Sequence, residues 1–173
     1  MIINPNHDTI SSRLQRSAST NDNGKGIIFV DRKENEIKWS WAQIWERACR
    51  SASHLRSQGV KIGDSVGIIL PTGIEFMDSY FGCQIIGAIP IPLYPPVRLG
   101  RLDEYISKTV AMFEAANIQF LISNKRTGRI LGQVVVKLPN LVGHFKAQDL
   151  IQTSPIDTFN FNTDQLAMAQ FSS

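Results

Sequence analysis

The chain has 173 residues, of which 43% are hydrophobic and 19% are charged, as expected of one globular domain. Its 18 Lys and Arg residues against 15 Asp and Glu residues give a net charge of +3, and the basic residues are scattered along the chain. This argues against a nucleic-acid-binding protein, and no apolar run reaches the roughly 18–20 residues of a membrane-spanning helix.

The N-terminal segment lacks the apolar centre of a secretory signal. Arg13, Arg16 and several serines faintly suggest an organellar transit peptide. The spacing of Ile10, Leu14 and Ala18 instead favours an amphipathic first helix. We therefore expect a first helix here, in a cytoplasmic protein.

Next, two strands are predicted at Gly24–Asp31 and Asn35–Ser40. Ser40 is suited to be the N-cap of a helix over Trp41–Gln58, because Gln43 stands at the capping-box position. Apolar residues recur along this helix at helical spacing, and we expect them to be buried. They are Ile44, Ala48, Ala52 and Leu55.

The stretch from Gly59 to Pro96 predicts a compact strand–helix–strand unit. Val66–Leu70 is a short continuous apolar run, as in a parallel strand covered on both faces, and Ala88–Leu93 is a second such run. Units of this kind are nearly always right-handed parallel crossovers. The helix between the two strands carries three aromatic residues on roughly one side, namely Phe76, Tyr80 and Phe81.

Helices and strands continue to alternate downstream. This alternation predicts an α/β fold with an open, mostly parallel sheet and helices packed on it. A chain that ends on a buried strand is further expected to be cut within its fold. The remaining predicted elements are a helix over 102–116, a strand over Gln119–Ser123, a helix over 130–138, a strand over Leu141–Phe145, a surface connection over 147–163 and a buried strand over Gln165–Phe171.

The sequence shows no catalytic or metal-ligating constellation, so we predict no catalytic residue and no metal ligand. His7, His54 and His144 have no spacing to other side chains that defines a metal site or a triad. Cys49 and Cys83 are expected to be buried small residues in separate helices. The glycines form neither a dinucleotide motif nor a complete Walker loop.

The one phosphate-related signal is the predicted last strand, which runs into Ser172 and Ser173. Small hydroxylic residues after a buried strand often begin a phosphate-binding turn, because backbone N–H groups there can meet an anion. Any two serines at a terminus would give the same pattern. The residues by themselves leave both interpretations open.

Several motifs resemble those of the adenylate-forming (acyl-activating) superfamily. A G-V-x-x-G-D turn is present at Gly59–Asp64 and a V-x-I-x-L-P strand at Val66–Pro71. An E-F segment with two spaced glycines and a terminal P-L pair runs from Glu75 to Leu93. The resemblance covers nearly the whole chain, from about Ser11 onward.

Within that superfamily, the run Tyr94–Arg98 and the later Arg101 most resemble fatty acyl-AMP ligases. The last five residues, Ala169–Ser173, are similar to the first residues of that family's ATP-phosphate loop. The resemblance implies that 1–173 is the N-terminal portion of an AMP-binding (adenylation) domain. It also implies that a C-terminal domain bearing the catalytic lysine is absent from these residues.

The family's chemistry follows from the same resemblance. Members join a fatty acid to ATP, release pyrophosphate, and pass the acyl group from the acyl-adenylate to an acyl carrier protein, while Mg²⁺ offsets phosphate charge. Only Ser172 and Ser173 are expected near the phosphates. Because the rest of the loop, the metal ligand and the lysine are missing, we expect residues 1–173 alone to be non-catalytic and to bind ATP and Mg²⁺ weakly without the remainder of the enzyme.

Two other hypotheses remain open. The chain could belong to an acyl-CoA synthetase or an amino-acid adenylation domain, although the run Tyr94–Arg98 argues against both. It could also be a non-catalytic remnant that acts as an interaction module. An apolar last strand without a partner is an aggregation hazard, which favours a piece of an enzyme over a self-sufficient module.

Overall fold

The computed structural model describes residues 9–20, 24–31, 33–96, 102–138, 140–159 and 164–172. Helices and strands alternate through most of these ranges, as the sequence predicts. In chain order the elements are α1 (Ile10–Ser19), β1 (Gly26–Val30), β2 (Glu36–Ser40), α2 (Trp41–Ser57), β3 (Ser65–Ile69), α3 (Ile74–Ile86), β4 (Ile89–Pro92), α4 (Leu102–Ala115), β5 (Phe120–Ser123), α5 (Lys125–Val135), β6 (Gly143–Lys146) and a 3₁₀ turn (Ala147–Asp149).

Four strands form a parallel sheet in the order β4-β3-β5-β6. A separate antiparallel hairpin is formed by β1 and β2. The predicted α/β class and the predicted crossover between β3 and β4 are therefore confirmed. The connections from β3 to β4 and from β5 to β6 leave the centre of the sheet in opposite directions.

The two faces of the sheet bury two separate apolar clusters. Successive strand residues point to opposite faces, so Ile68 joins the cluster formed with α2 and α3, whereas Ile69 joins the cluster formed with α4 and α5. All four residues of β5 are buried. The continuous apolar runs of the central strands are thus explained by helices on both faces.

Helix α2 begins where the sequence predicts. The Ser40 hydroxyl accepts a hydrogen bond from the Gln43 N–H, and the Gln43 side chain in turn accepts from the Ser40 N–H at 2.9 Å. The predicted stripe of four apolar residues is completely buried. Gly59, just beyond the helix, has a φ of 90°, a left-handed conformation that glycine adopts without a Cβ penalty.

Helix α1 is present, but its buried side differs from the predicted one. Leu14 is buried together with Ser11 and Ser12, whereas Ile10 is 41% exposed. The Ser11 hydroxyl donates to the Gln84 carbonyl at the end of α3. A polar contact of this kind helps to orient α1 on its neighbours, so the buried side keeps Leu14 of the predicted stripe but not Ile10.

The predicted surface connection over 147–163 is more tightly attached than its polar sequence suggests. Leu150 is fully buried, and the Ile156 N–H donates to the Cys49 carbonyl of α2 at 3.1 Å. The described part of this connection, which ends at residue 159, therefore packs across α2 as part of the fold.

Candidate functional site

The candidate site is the outer edge of β4, along which the segment Asp164–Ser172 (the edge segment) runs. Ser172 is exposed, and Ser173 lies outside the described residues. The segment reaches the sheet through Ala169, whose N–H donates to the Pro90 carbonyl at 3.3 Å. The site therefore depends on what the edge of β4 offers to a neighbouring chain.

The outer edge of β4 (the acceptor edge) offers carbonyl groups and no N–H donors. The Ile89 N–H donates to the Asp64 carbonyl, and the Leu93 N–H donates to the Ile68 carbonyl. The backbone groups of these two residues therefore point towards β3. The residues between them that face outward are Pro90 and Pro92. Because proline has no backbone N–H, only their carbonyls can bond a neighbour.

The prediction of a buried strand over Gln165–Phe171 is wrong. No strand is assigned to this segment, and Leu166 is 60% exposed. The physical reason is the acceptor edge, because a sheet ladder needs donors as well as acceptors on each strand. With prolines at its outward positions, β4 cannot supply them.

Side chains of α3 supply the missing attachment. The Gln84 side-chain amide donates to the Ala167 carbonyl, and the Tyr80 hydroxyl lies 3.6 Å from the Met168 sulfur. A tyrosine hydroxyl is protonated at neutral pH and can donate, and burial raises the pKa of Tyr80 further. The edge segment is thus held between α3 and β4.

The order of these contacts gives the direction of the edge segment. Helix α3 runs antiparallel to its flanking strands, so Tyr80 lies nearer than Gln84 to the carboxyl end of the sheet. The segment meets Gln84 first and Tyr80 next, and then continues towards Ser172. Ser172 therefore approaches the carboxyl ends of the strands, the side where ligands bind in open α/β sheets.

The tyrosine–proline run after β4 leaves the sheet at the same carboxyl side. Tyr94 is 80% exposed, and its carbonyl accepts a hydrogen bond from the Tyr105 hydroxyl of α4 at 3.0 Å. Arg98 and Arg101 lie outside the described residues.

Two of the three histidines can be placed. The His144 Nε2 atom of β6 lies 2.7 Å from the Ser123 Oγ atom of β5, a pair that the sequence analysis missed. Burial, together with Lys146, lowers the pKa of His144, which favours the neutral imidazole. Because Ser123 is only 1% exposed, its hydroxyl cannot meet a substrate. His54 packs edge-on against Phe145, and His7 lies outside the described residues.

A buried ion pair is the second feature that sequence reasoning missed. Arg47 of α2 contacts both carboxylate oxygens of Asp78 of α3, with nitrogen–oxygen distances of 2.9 and 2.6 Å. Asp78 is 1% exposed, and burial raises its pKa in spite of the hydrogen bonds from Arg47. The pair joins two helices inside the fold, so we assign it a role in stabilising their packing.

Both cysteines are buried free thiols, as predicted. Burial raises the pKa of Cys49 to about 12 and raises the pKa of Cys83 as well. A raised pKa disfavours the thiolate, which is the reactive form of cysteine, so we assign both thiols to the core.

Comparison with known proteins decides the family. A family model described as AMP-binding enzyme matches residues 14–173, nearly the whole chain. The chain belongs to the AMP-binding enzyme family. It is 32% identical over 103 residues to the long-chain-fatty-acid–AMP ligase FadD26 of Mycobacterium marinum, which covers 57% of the chain and 17% of that protein.

Two further comparisons place this AMP-binding chain among its relatives. It is 36% identical over 93 residues to the acetyl-coenzyme A synthetase of Chromobacterium violaceum, covering 54% of the chain and 14% of that protein. The fold matches a solved structure from work on fatty acyl-adenylate ligases of E. coli and L. pneumophila with a TM-score of 0.78 and 20% identity, covering 92% of the chain and 29% of that structure. The chain thus spans less than a third of each of these proteins.

The residues of this AMP-binding chain fit only one part of an ATP–Mg²⁺ site. Ser172 is exposed, and a serine in such a position is chemically able to donate to a phosphate oxygen. Among the described residues, no group of three or more His, Cys, Asp or Glu side chains could hold a metal ion. Within the same ranges, no helix is long and apolar enough to span a membrane.

Proposed function

We propose that residues 1–173 form the N-terminal portion of the adenylation domain of a fatty acyl-AMP ligase. Such an enzyme joins a fatty acid to ATP, releases pyrophosphate, and passes the acyl group to an acyl carrier protein in the cytoplasm. The observation that carries the proposal is the edge segment, which leads Ser172 to the carboxyl side of a parallel sheet. The likeness to a long-chain-fatty-acid–AMP ligase supports the choice of acid.

In this proposal the chain supplies a scaffold and the beginning of a phosphate site. Ser172 and Ser173 lie next to the ATP phosphates, where N–H and hydroxyl groups donate to phosphate oxygens. A fixed donor that meets developing charge is a major source of catalysis in reactions of this class. The rest of the phosphate loop, the ligands of Mg²⁺ and the catalytic lysine belong to segments outside 1–173.

A second candidate is a CoA ligase of the same family. The identity of 36% to an acetyl-coenzyme A synthetase favours it. Both candidates form an acyl-adenylate first, and they differ in the acid and in the thiol that accepts the acyl group.

The test is ATP–pyrophosphate exchange by the polypeptide that carries residues 1–173 together with the segments that its relatives have beyond them. We expect exchange that depends on a fatty acid, with no exchange in the presence of acetate or free amino acids. Transfer of the acyl group to a phosphopantetheinylated carrier protein, and not to CoA, is the second expected result. Exchange with acetate and transfer to CoA would replace the first candidate with the second.

A parallel assay uses residues 1–173 alone. We expect no fatty-acid-dependent exchange, because the charge-neutralising groups of the reaction are missing from them. Turnover by the isolated chain would contradict the proposal that the catalytic groups lie in segments outside 1–173.

A further inference from the structure

Gln84 and Tyr80 form a pair of polar groups on one side of α3. They are four residues apart, so they lie one above the other on the helix. Both reach the edge segment, Gln84 through its amide to the Ala167 carbonyl and Tyr80 through its hydroxyl to the Met168 sulfur. Two successive residues of the edge segment are therefore attached to one helix.

Neighbouring residues of the fold restrict the positions of both side chains. The Tyr80 ring stacks on Phe76 at 6.1 Å and meets Phe81 edge-on at 5.4 Å. Gln84 is 9% exposed, so its side chain is enclosed by neighbouring atoms, while its main-chain carbonyl accepts from the Ser11 hydroxyl of α1. Side chains held in this way do not lose much further rotamer freedom when they bind the segment.

The acceptor edge makes these side chains necessary. An ordinary edge strand would hold a neighbouring segment through a ladder of backbone hydrogen bonds. Here the Ala169 N–H donates to the Pro90 carbonyl of β4, and the proline positions cannot donate in return. Donors for the segment's carbonyls must therefore come from side chains.

We infer that Gln84 and Tyr80 are positioning residues, which set the path of the edge segment and so place Ser172 at the phosphates. The effect on catalysis rests on the proposed function. The attachment of the edge segment by Gln84 and Tyr80 does not depend on it. Gln84 makes the stronger contact, because an amide donating to a carbonyl is a better hydrogen bond than a hydroxyl donating to a thioether sulfur.

The structural part is tested by amide hydrogen exchange in residues 1–173. Gln84→Met keeps the length of the side chain but removes its donor, and we expect the Ala169 amide to exchange roughly 3- to 10-fold faster. Tyr80→Phe removes only the hydroxyl, and we expect a rise of roughly twofold. The amides of β5 should keep their rates, since they lie in the centre of the sheet. Gln152→Met, which removes an exposed glutamine bonded to Asp149, is the matched control.

An unchanged Ala169 rate in Gln84→Met would overturn the inference, as would an equal rise in the amides of β5, which indicates general destabilisation. If Gln84→Met does not fold, Tyr80→Phe carries the same test with its smaller effect. Either result is obtained without any enzyme assay.

The catalytic part is tested in the longer polypeptide by pyrophosphate exchange. We expect Gln84→Met to raise the KM for ATP roughly 3- to 10-fold while the KM for the fatty acid stays unchanged. A loss of folded protein would instead lower kcat with both KM values constant, and that result would overturn the positioning role. If the wild-type polypeptide shows no exchange with any acid, the proposed function fails, while the Ala169 result still decides the attachment.

Discussion

The close approach of α2 and α3 at Gly82 gives a quantitative test of the fold. A Cβ atom on Gly82 would lie 2.3 Å from the Ser51 hydroxyl oxygen, 2.8 Å from the Ser51 Cβ and 3.2 Å from the Ala52 backbone nitrogen. Ser51 is fully buried, so its side chain cannot turn out into solvent to make room. We therefore expect Gly82→Ala to push the two helices apart.

The expected size of the effect follows from two opposing terms. Alanine gains about 1 kcal/mol over glycine in a helix interior, whereas overpacking a well-filled core costs about 1–3 kcal/mol. Because two of the three contacts are far below van der Waals distance, we expect the upper part of that range. The free energy of unfolding should fall by about 1–2 kcal/mol in Gly82→Ala.

Ser51→Gly provides the compensating change, since it removes both of the closest atoms. In that background Gly82→Ala retains mainly its helix-propensity gain, so the coupling energy of the double-mutant cycle should be about 2–3 kcal/mol. Gly132→Ala is the matched control, because a Cβ atom there meets nothing within 4 Å. It should stabilise the chain by about 1 kcal/mol.

The assay is urea unfolding of all four members of the cycle and of the control, with the slope m monitored for each. Stabilisation by Gly82→Ala in the wild-type background would refute the packing argument. A coupling energy below about 0.5 kcal/mol, within the range of independent sites, would also refute it.

Two further predictions concern buried ionisable side chains. Arg47→Met leaves Asp78 buried without its cation, so the free energy of unfolding at pH 7 should fall by about 3–5 kcal/mol. Because burial raises the Asp78 pKa, this loss should become smaller as the pH is lowered. Adding Asp78→Asn to the Arg47→Met chain should largely restore its stability, as measured by urea unfolding. His144 has a lowered pKa in the fold, so protons bind the unfolded chain more tightly. Stability should therefore be lost as the pH falls below 6.5, and His144→Gln should remove this part of the thermal-melting profile; an unchanged profile would contradict the assignment.

The sequence predicts those elements whose signals are local. The cap of α2 is read from Ser40 and Gln43, which are three residues apart, and the central strands from uninterrupted apolar runs. Contacts between distant residues leave no such pattern. Arg47 and Asp78 are 31 residues apart and Ser123 and His144 are 21 apart, so only the packing of helices and the sheet register bring them together.

The prediction of a strand in the edge segment was wrong for a different reason. Its apolar residues fit a strand, but a strand also needs a neighbour that can donate hydrogen bonds. That information stands elsewhere in the sequence, in the prolines of Ile89–Pro92, and it becomes useful only once β4 is known to lie at the edge of the sheet. An outward-facing proline on a predicted edge strand therefore indicates that the next segment is held by side chains.

The acceptor edge also makes the attachment of Ser172 separable from the stability of the fold. A segment in a full ladder could be loosened only by disrupting the sheet, whereas each hydrogen bond to the edge segment contributes about 0.5–1.5 kcal/mol. Such bonds fall in the range of local openings that leave the core folded. Prolines at this edge protect it from pairing with other chains. Under the proposed positioning role, they leave the placement of Ser172 to Gln84 and Tyr80, two side chains that can be altered while the parallel sheet stays intact.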